Sequence, residues 1–443
     1  MKGLIFTYVL AYGGSIASIF QPFIGLCIYI CFSLICPENL WYWAVPKGNY
    51  SRIVAIALLL GWALNGFGDL QFGRARPIAY GLLGFLGVWI LDGILIAPDK
   101  GVGLAGVEGL AKIVIPFMVG LTLINSVDRL KIVAWVIVLC QGYLAYEFNT
   151  AYYAGGIDDG EWRFRSLDNN GIAIVMDTSI GLALFLGLES PRWYQKLIAL
   201  VAVGMMAHVV LFSMSRGGML GLCVVGIASF LLIPKQPKHF VVFFLVILLV
   251  LRLAGPSVRK EFFSSFEEGE KRDQSTNTRL LHWTACIDSM LRHPLGIGPD
   301  TWSTVAPEYG LPMMEAHTTW LQLGAELGFQ GLLMIGMFYG YCIGRLWIFT
   351  FKTTYVPDPW LRTFARMVIA SLVGFIVSAQ FVSVEGIELP YFVVMLGAAT
   401  LRLSTQPASS EAGSAFSMFR QANGLPASGP GFTSGHASVA RRA

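Results

Sequence analysis

Apolar runs near 20 residues long recur along the chain, and they limit what it can fold into more than any other feature. About 20 apolar residues wound as a helix match the hydrocarbon thickness of a bilayer. Lipid offers no partner to backbone N–H and C=O groups, so a spanning segment must be a helix or part of a closed barrel. Continuous runs, in place of alternation, select helices. Candidate spans are residues 3–36, 51–69, 76–97, 104–124, 129–149, 169–189, 194–213, 216–233, 238–254, 329–350, 361–382 and 385–402. The chain is 55% hydrophobic and only 13% charged, with a mean hydropathy of +0.63. Soluble domains are about 25% charged, so one soluble core could not bury this much apolar surface. The expectation is an all-α polytopic membrane protein with about 12 transmembrane helices. The first segment is too long for one straight helix. It is interrupted at "FQPFIG", where Pro22 breaks the hydrogen-bond ladder, so it is either one broken crossing or a short pair.

Charge sets the expected orientation. The basic connectors "FGRARP" (72–77), "ESPRWYQK" (189–196), "PKQPKH" (234–239) and "GRLWIFTFK" (344–352) all fall on one side if the first segment makes one net crossing. The positive-inside tendency assigns that side, and with it the N-terminus, to the cytoplasm. If residues 3–36 cross twice, the N-terminus moves outside and the rest stays put. The N-terminal run has no clear cleavage site and reads as a retained span. Three polar stretches then share the outer face: residues 149–171, the short "SMSRGG" (213–218), and a long loop over 255–326. Within the long loop, Leu280, Trp283, Ile287 and Leu291 recur at helical spacing, so residues 276–293 read as an amphipathic helix ahead of the Gly/Pro turn "PLGIGPDTW". The expected organisation is a transmembrane domain over 1–402, this outer loop inserted within it, and a disordered cytoplasmic tail over 403–443, rich in Ser, Gly and Ala.

Several chemistries have no support. The net charge of +4 reads as loop bias for topology, not as a nucleic-acid surface. The seven cysteines show no CxxC pair or metal-like spacing. No P-loop or HExxH is present, and "IDDGEW" offers only adjacent aspartates where a nucleotide-sugar metal site needs a spaced pair.

The polar residues on the outer face are the candidates. Arg163 and Arg165 lie in "EWRFRSLDNN", ahead of a span that opens near Asn169. Each is either an arginine that snorkels to headgroups or a phosphate ligand, for which the planar, permanently charged guanidinium is suited. Asp168, Asn169 and Asn170 can cap the helix, and either asparagine can hydrogen-bond a sugar. Arg216 sits between two apolar runs with almost no loop around it, and an ionisable residue at that depth is a functional candidate. Arg279 lies on the loop helix, either as an exposed arginine or as a further cation of the site. His282 and His293 read as surface or turn residues. His317, in "LPMMEAHTTWLQLGAELGFQG", titrates near neutral pH at the rim of the membrane domain and is the candidate general base. Glu326 follows nine residues later, about two and a half turns and about 13 Å along a straight helix axis. That separation argues against direct pairing and for a Glu326 that binds the loop or acceptor, or marks the water boundary.

The order of these motifs carries a resemblance. An arginine ahead of the "LDNNGIA" helix start, then "SRGG", then "R…W" and "HPLGIGPDTW", then "HTTWLQLGAELGFQG", resembles the O-antigen ligase superfamily and the related O-antigen polymerases. With "QPFIGLCIYICFSLICPENLW", it looks closest to the O-glycosylation ligases associated with exosortase and exopolysaccharide gene clusters. The family often has His-Asn or His-Ser where this chain has His317-Thr318. The resemblance covers roughly residues 1–400. It implies a multi-pass glycosyltransferase of the bacterial inner membrane with a periplasmic active face, among membrane lipid. The donor would be a glycan on undecaprenyl pyrophosphate, and the acceptor a hydroxyl on a glycan, lipid or protein. By motif match Arg163, Arg216 and Arg279, with Arg165 as the alternative to Arg163, would bind pyrophosphate. His317 would activate the acceptor, Asn169, Asn170 and Glu326 would support the site, and no metal or cofactor would be required. A polysaccharide polymerase using the same donor is the alternative. A lipid-linked glycan flippase or transporter is a third reading, though no internal repeat supports it and the charges crowd one face.

Overall fold

The computed structural model describes residues 2–156, 163–164, 167–253, 255–264, 274–353, 356–384 and 386–405. Arg165 and the expected tail beyond residue 405 lie outside the described residues. The molecule is an all-α polytopic membrane protein, with no strand among the described residues. Among the described residues, nine helical segments are long and apolar enough to cross a membrane by length and composition, and Tyr50–Leu64 and Arg216–Leu232 are shorter apolar helices.

The N-terminal segment starts with α1 (Lys2–Tyr8), a π-helical stretch (Val9–Gly13) and α2 (Gly14–Phe20), then breaks at Gln21 and resumes as α3 (Pro22–Ile35) and α4 (Pro37–Leu40). Pro22 starts α3 because the missing N–H costs nothing in a first turn. The two arms fold back on each other. A Cβ on Gly14 would meet Ile28, one on Gly25 would meet Ser18, and one on Gly3 would meet Trp41, so residue numbers across the contact sum to nearly the same value. That is an antiparallel hairpin, the short pair of the two alternatives, and it returns the N-terminus to the face that carries residues 41–49. Small residues let the hairpin seat against α5 (Tyr50–Leu64), where Gly61 touches the Ser18 backbone.

Next come α6 (Arg76–Leu95), α7 (Lys100–Leu123), α8 (Val127–Tyr153), α9 (Asn169–Glu189), α10 (Trp193–Phe212), α11 (Arg216–Leu232) and α12 (Pro237–Leu253). The long loop holds α13 (Pro256–Ser264), α14 (Gln274–Arg292) and the single turn α15 (Trp302–Val305). The chain closes with α16 (Thr319–Lys352), α17 (Pro359–Ser378) and α18 (Glu388–Leu403). α9, α17 and α18 form the buried centre, with Phe185, Phe364 and Phe392 almost fully enclosed. At the far end of the bundle, the buried Arg402 pairs with Asp69 and donates to the Leu121 carbonyl. The connectors 72–77, 189–196, 234–239 and 344–352 lie at that end, and the described residues 154–156, 167–168, 213–215, 255–264, 274–318, 379–384 and 386–387 at the other.

α16 starts ten residues before the expected 329, inside what reads from sequence as loop. Its ladder is broken at Gly328 (φ 66°, ψ −170°). The turn "PLGIG" enters this break: Ile297 and Gly298 donate their N–H groups to the Glu326 carbonyl at 3.1 and 2.9 Å, and Phe329 donates to the Pro294 carbonyl at 3.0 Å. Gly296 (φ 91°) and Gly328 both need the left-handed region, and a Cβ on either would strike the other strand's backbone carbonyl. α14 forms where expected but presents another face. Leu280, Ile287 and Leu291 are exposed, while His282, Ala285, Cys286, Ser289 and Met290 are buried. Short side chains let α14 approach α16 closely, with Met290 against Gly324.

Candidate active site

His317 is held by its neighbours on both sides. Before it, the Ala316 N–H donates to Gln322 Oε1 (3.0 Å), and the Ala316 carbonyl accepts from Trp283 Nε1 of α14 (3.1 Å). After it, Thr318 Oγ1 accepts from Gln380 (3.2 Å), while Thr319 donates to the Val382 carbonyl (2.7 Å) and accepts from the Val384 N–H (3.2 Å). The "HTT" threonines are therefore tied to residues 380–384. Between these anchors His317 takes φ 51°, in the left-handed region that Met214 and Asp300 also occupy (φ 54° and 56°). Non-glycine residues in this region cost about 1–3 kcal/mol each and collect at functional sites.

The ring is half-buried, and Arg279 and His282 of α14 lie within electrostatic reach. Burial first, then the Arg279 charge, lowers the His317 pKa below the usual imidazole value; Asp168 opposes this and His282 adds to it. The neutral ring, the form that can take a proton, is favoured. Residues 279, 282 and 283 share one face of α14, which brings a cation, a second imidazole and the Trp283 anchor to the same segment. His282 is buried, contrary to its reading as a surface residue. Its Nδ1 accepts from Trp302 Nε1 (3.3 Å), and burial lowers its pKa. His293 is exposed.

Glu326 does not reach toward His317. Fully buried, it accepts the N–H groups of Asp300 and Trp302 at 3.0 Å each and the Gln322 amide at 3.3 Å. Its carboxylate thus caps the loop segment that carries the fully buried Trp302.

The remaining candidates cluster where α9 meets the 213–215 turn. Asp168 caps α9 through the Gly171 N–H (2.8 Å). Asn169 donates to the Ser213 carbonyl (2.9 Å), and Asn170 accepts from Ser215 Oγ (2.8 Å). Ser215 in turn caps α11 at the Gly218 N–H (3.1 Å). Both asparagines thus hold the turn that presents Arg216. Arg216 Nε lies 3.2 Å from Glu261 of α13. Arg163 is exposed, one residue before Phe164, which pairs with Leu167 in an isolated bridge.

Sequence reasoning missed several polar residues. Gln322, one helical turn before Glu326, links Ala316, Glu315, Ser383 and Glu326. Ser378 donates to the buried Asp177 (2.9 Å) between α17 and α9, and Gln141 is buried on α8. A lone polar residue within an apolar run was the available signal for Gln141 and Asp177.

Fold and site together define a multi-pass helical membrane protein with a polar, partly buried site at one end, closed over by a long loop. Residues 201–336 match the family model described as O-antigen ligase, and this match supports the resemblance to the O-antigen ligase superfamily. The matched stretch contains Arg216, Arg279, His317 and Glu326, and leaves Arg163, Asn169 and Asn170 outside it. Comparison with curated proteins gives no match.

Proposed function

We propose that the protein transfers a glycan from undecaprenyl pyrophosphate to an acceptor hydroxyl at the periplasmic face of the bacterial inner membrane. The observation that supports this most is the setting of His317: anchored on both sides, half-buried and beside Arg279. The basic connectors at the opposite end of the bundle support an outward-facing site by the positive-inside tendency.

In this reading the neutral His317 ring takes the acceptor proton as the hydroxyl oxygen attacks the anomeric carbon. The bond from that carbon to the pyrophosphate oxygen breaks, and the pyrophosphate leaves with the electron pair. Arg279 and Arg216 stabilise the charge developing there, work for which preorganised guanidinium groups are suited. Glu261 holds Arg216 in the free protein, so donor binding exchanges a carboxylate for a phosphate oxygen. Arg163, exposed at the rim, meets the donor from the α8–α9 side. Attack opposite the leaving group inverts the anomeric centre. Acceptors on lipid, glycan or protein all fit this chemistry, and the exosortase-associated ligases point toward protein.

The test supplies purified protein with lipid-linked glycan and candidate acceptors, and weighs the products by mass spectrometry. A glycosylated acceptor with released undecaprenyl pyrophosphate is the expected result. Donor recovered intact with every acceptor would refute transfer.

A further inference from the structure

The chemistry above uses His317 and the arginines and leaves without a role a cavity lined by residues next to His317 in sequence. About 330 Å³ in volume, it lies between α3, α8, α9 and the start of α18. Its polar wall is Gln322, Glu315 and Ser383, on the segments that hold His317 in place, with Asp300 and Glu388 beside them. Of its lining residues, Glu315 and Gly386 are exposed, and Glu315 is two residues from His317.

We propose that this cavity is a subsite for one uncharged sugar unit, held through its hydroxyls while His317 acts at its mouth. The inference rests on the transferase reading. The first support is Gln141, 1% exposed on the cavity wall, whose Oε1 has no hydrogen-bond partner. A buried amide oxygen without a donor is costly, and a sugar hydroxyl supplies the missing donor.

The second support is charge. Glu315, Asp300 and Glu388 accept hydrogen bonds from hydroxyls and repel phosphate, so the cavity complements the arginines instead of duplicating them. Among the described residues these carboxylates do not converge as a cation site. Burial, then the Glu315 charge, raises the Asp300 pKa, so that Asp300 keeps a proton, and with it a donor, to higher pH than a free aspartate. The third support is shape. Phe148 and Phe164 meet edge to face (5.8 Å, 80°) on the opposite wall and offer apolar surface to the C–H face of a pyranose. The volume is at the low end of small-ligand pockets, roughly 300–1,000 Å³, which suits one ring and not a chain.

The sugar belongs either to the acceptor or to the donor glycan, and the experiment separates these. Full-length protein in lipid nanodiscs is titrated with the methyl glycosides of glucose, galactose and mannose and with methyl glucuronide, and binding is read by ligand-observed NMR. At least one neutral glycoside binds the wild type and the uronide is excluded. Gln141→Leu weakens neutral binding about three- to tenfold, the equivalent of one net hydrogen bond, while its Tm holds or rises because an unpartnered buried oxygen is gone. Glu315→Gln, a second variant, relaxes the exclusion of the uronide. Transfer assays on Gln141→Leu then raise KM for the acceptor or for the donor, naming the source. No glycoside binding, equal binding of uronide and neutral sugar, or an unchanged Gln141→Leu variant in both assays would overturn the proposal. His317→Ala keeps glycoside binding, so a failed base role and a failed subsite give different results.

Discussion

His317 lies between two environments, and its titration reports both. Its pKa is lowered by burial and by Arg279, so the acid limb of kcat/KM, which reports the free enzyme, is expected below about pH 6.5, the ordinary imidazole value. Arg279→Gln removes a cation and moves that limb upward, while weakening donor binding. A pH–rate series on both proteins checks this, and a limb above the ordinary value in the wild type would contradict it. Stability follows the same sign. The folded state disfavours the charged ring, so the unfolded state binds more protons on acidification and stability falls as pH drops through about 6.5. The candidate role of His317 is legible in "MEAHTTW" because a titratable ring stands at an apolar boundary. The work of Thr319 is not, because its partners Val382 and Val384 lie more than 60 residues away in sequence and only tertiary packing joins them.

At the level of elements, the interlock of the 294–298 turn with the broken α16 fixes how the loop covers the site. Gly328→Ala forces a Cβ into the Pro294 carbonyl at positive φ, and is expected to cost at least about 2 kcal/mol and to reduce transfer. Gly336→Ala, eight residues on in the same helix with open space at its Cβ, is expected to be neutral or to stabilise by up to about 1 kcal/mol. Thermal melts of the two variants decide, and equal melting points would remove the interlock from the account. The sequence pattern places the α16 start at 329, where the apolar run resumes, because the turns before Gly328 are helical only through contact with the loop and α17. α14 shows the same limit. Its Leu280, Ile287 and Leu291 stripe marks a helix correctly, but close approach to α16 selects the face with Ala285, Cys286 and Ser289.

Over the whole molecule, apolar runs reveal the all-α bundle because lipid permits little else. The N-terminal hairpin is harder to read. Pro22 marks a break, but whether the chain continues or reverses depends on Gly14 meeting Ile28 and Gly25 meeting Ser18 across it. The hairpin has a direct consequence for topology. In a cysteine-free background, cysteines at Lys2 and Gly310 are expected to label from one side of sealed vesicles, and those at Lys196 and Lys235 from the other. Labelling of position 2 from the side of position 196 would restore a single net crossing. Analysis of the anomeric configuration offers a second test at this scale: inversion is expected, and retention would exclude single-step attack by an acceptor activated at His317.

His317 as the base is the centre of the proposed reaction. Single-turnover transfer from purified undecaprenyl-pyrophosphate glycan, with donor affinity measured on the same samples, tests it most directly. The His317→Ala protein is predicted to lose roughly 10²–10⁴-fold in transfer rate, the usual contribution of a general base, while binding donor within about threefold of the wild type, since the arginines that hold pyrophosphate remain. A folded His317→Ala protein that transfers glycan at the wild-type rate would contradict it.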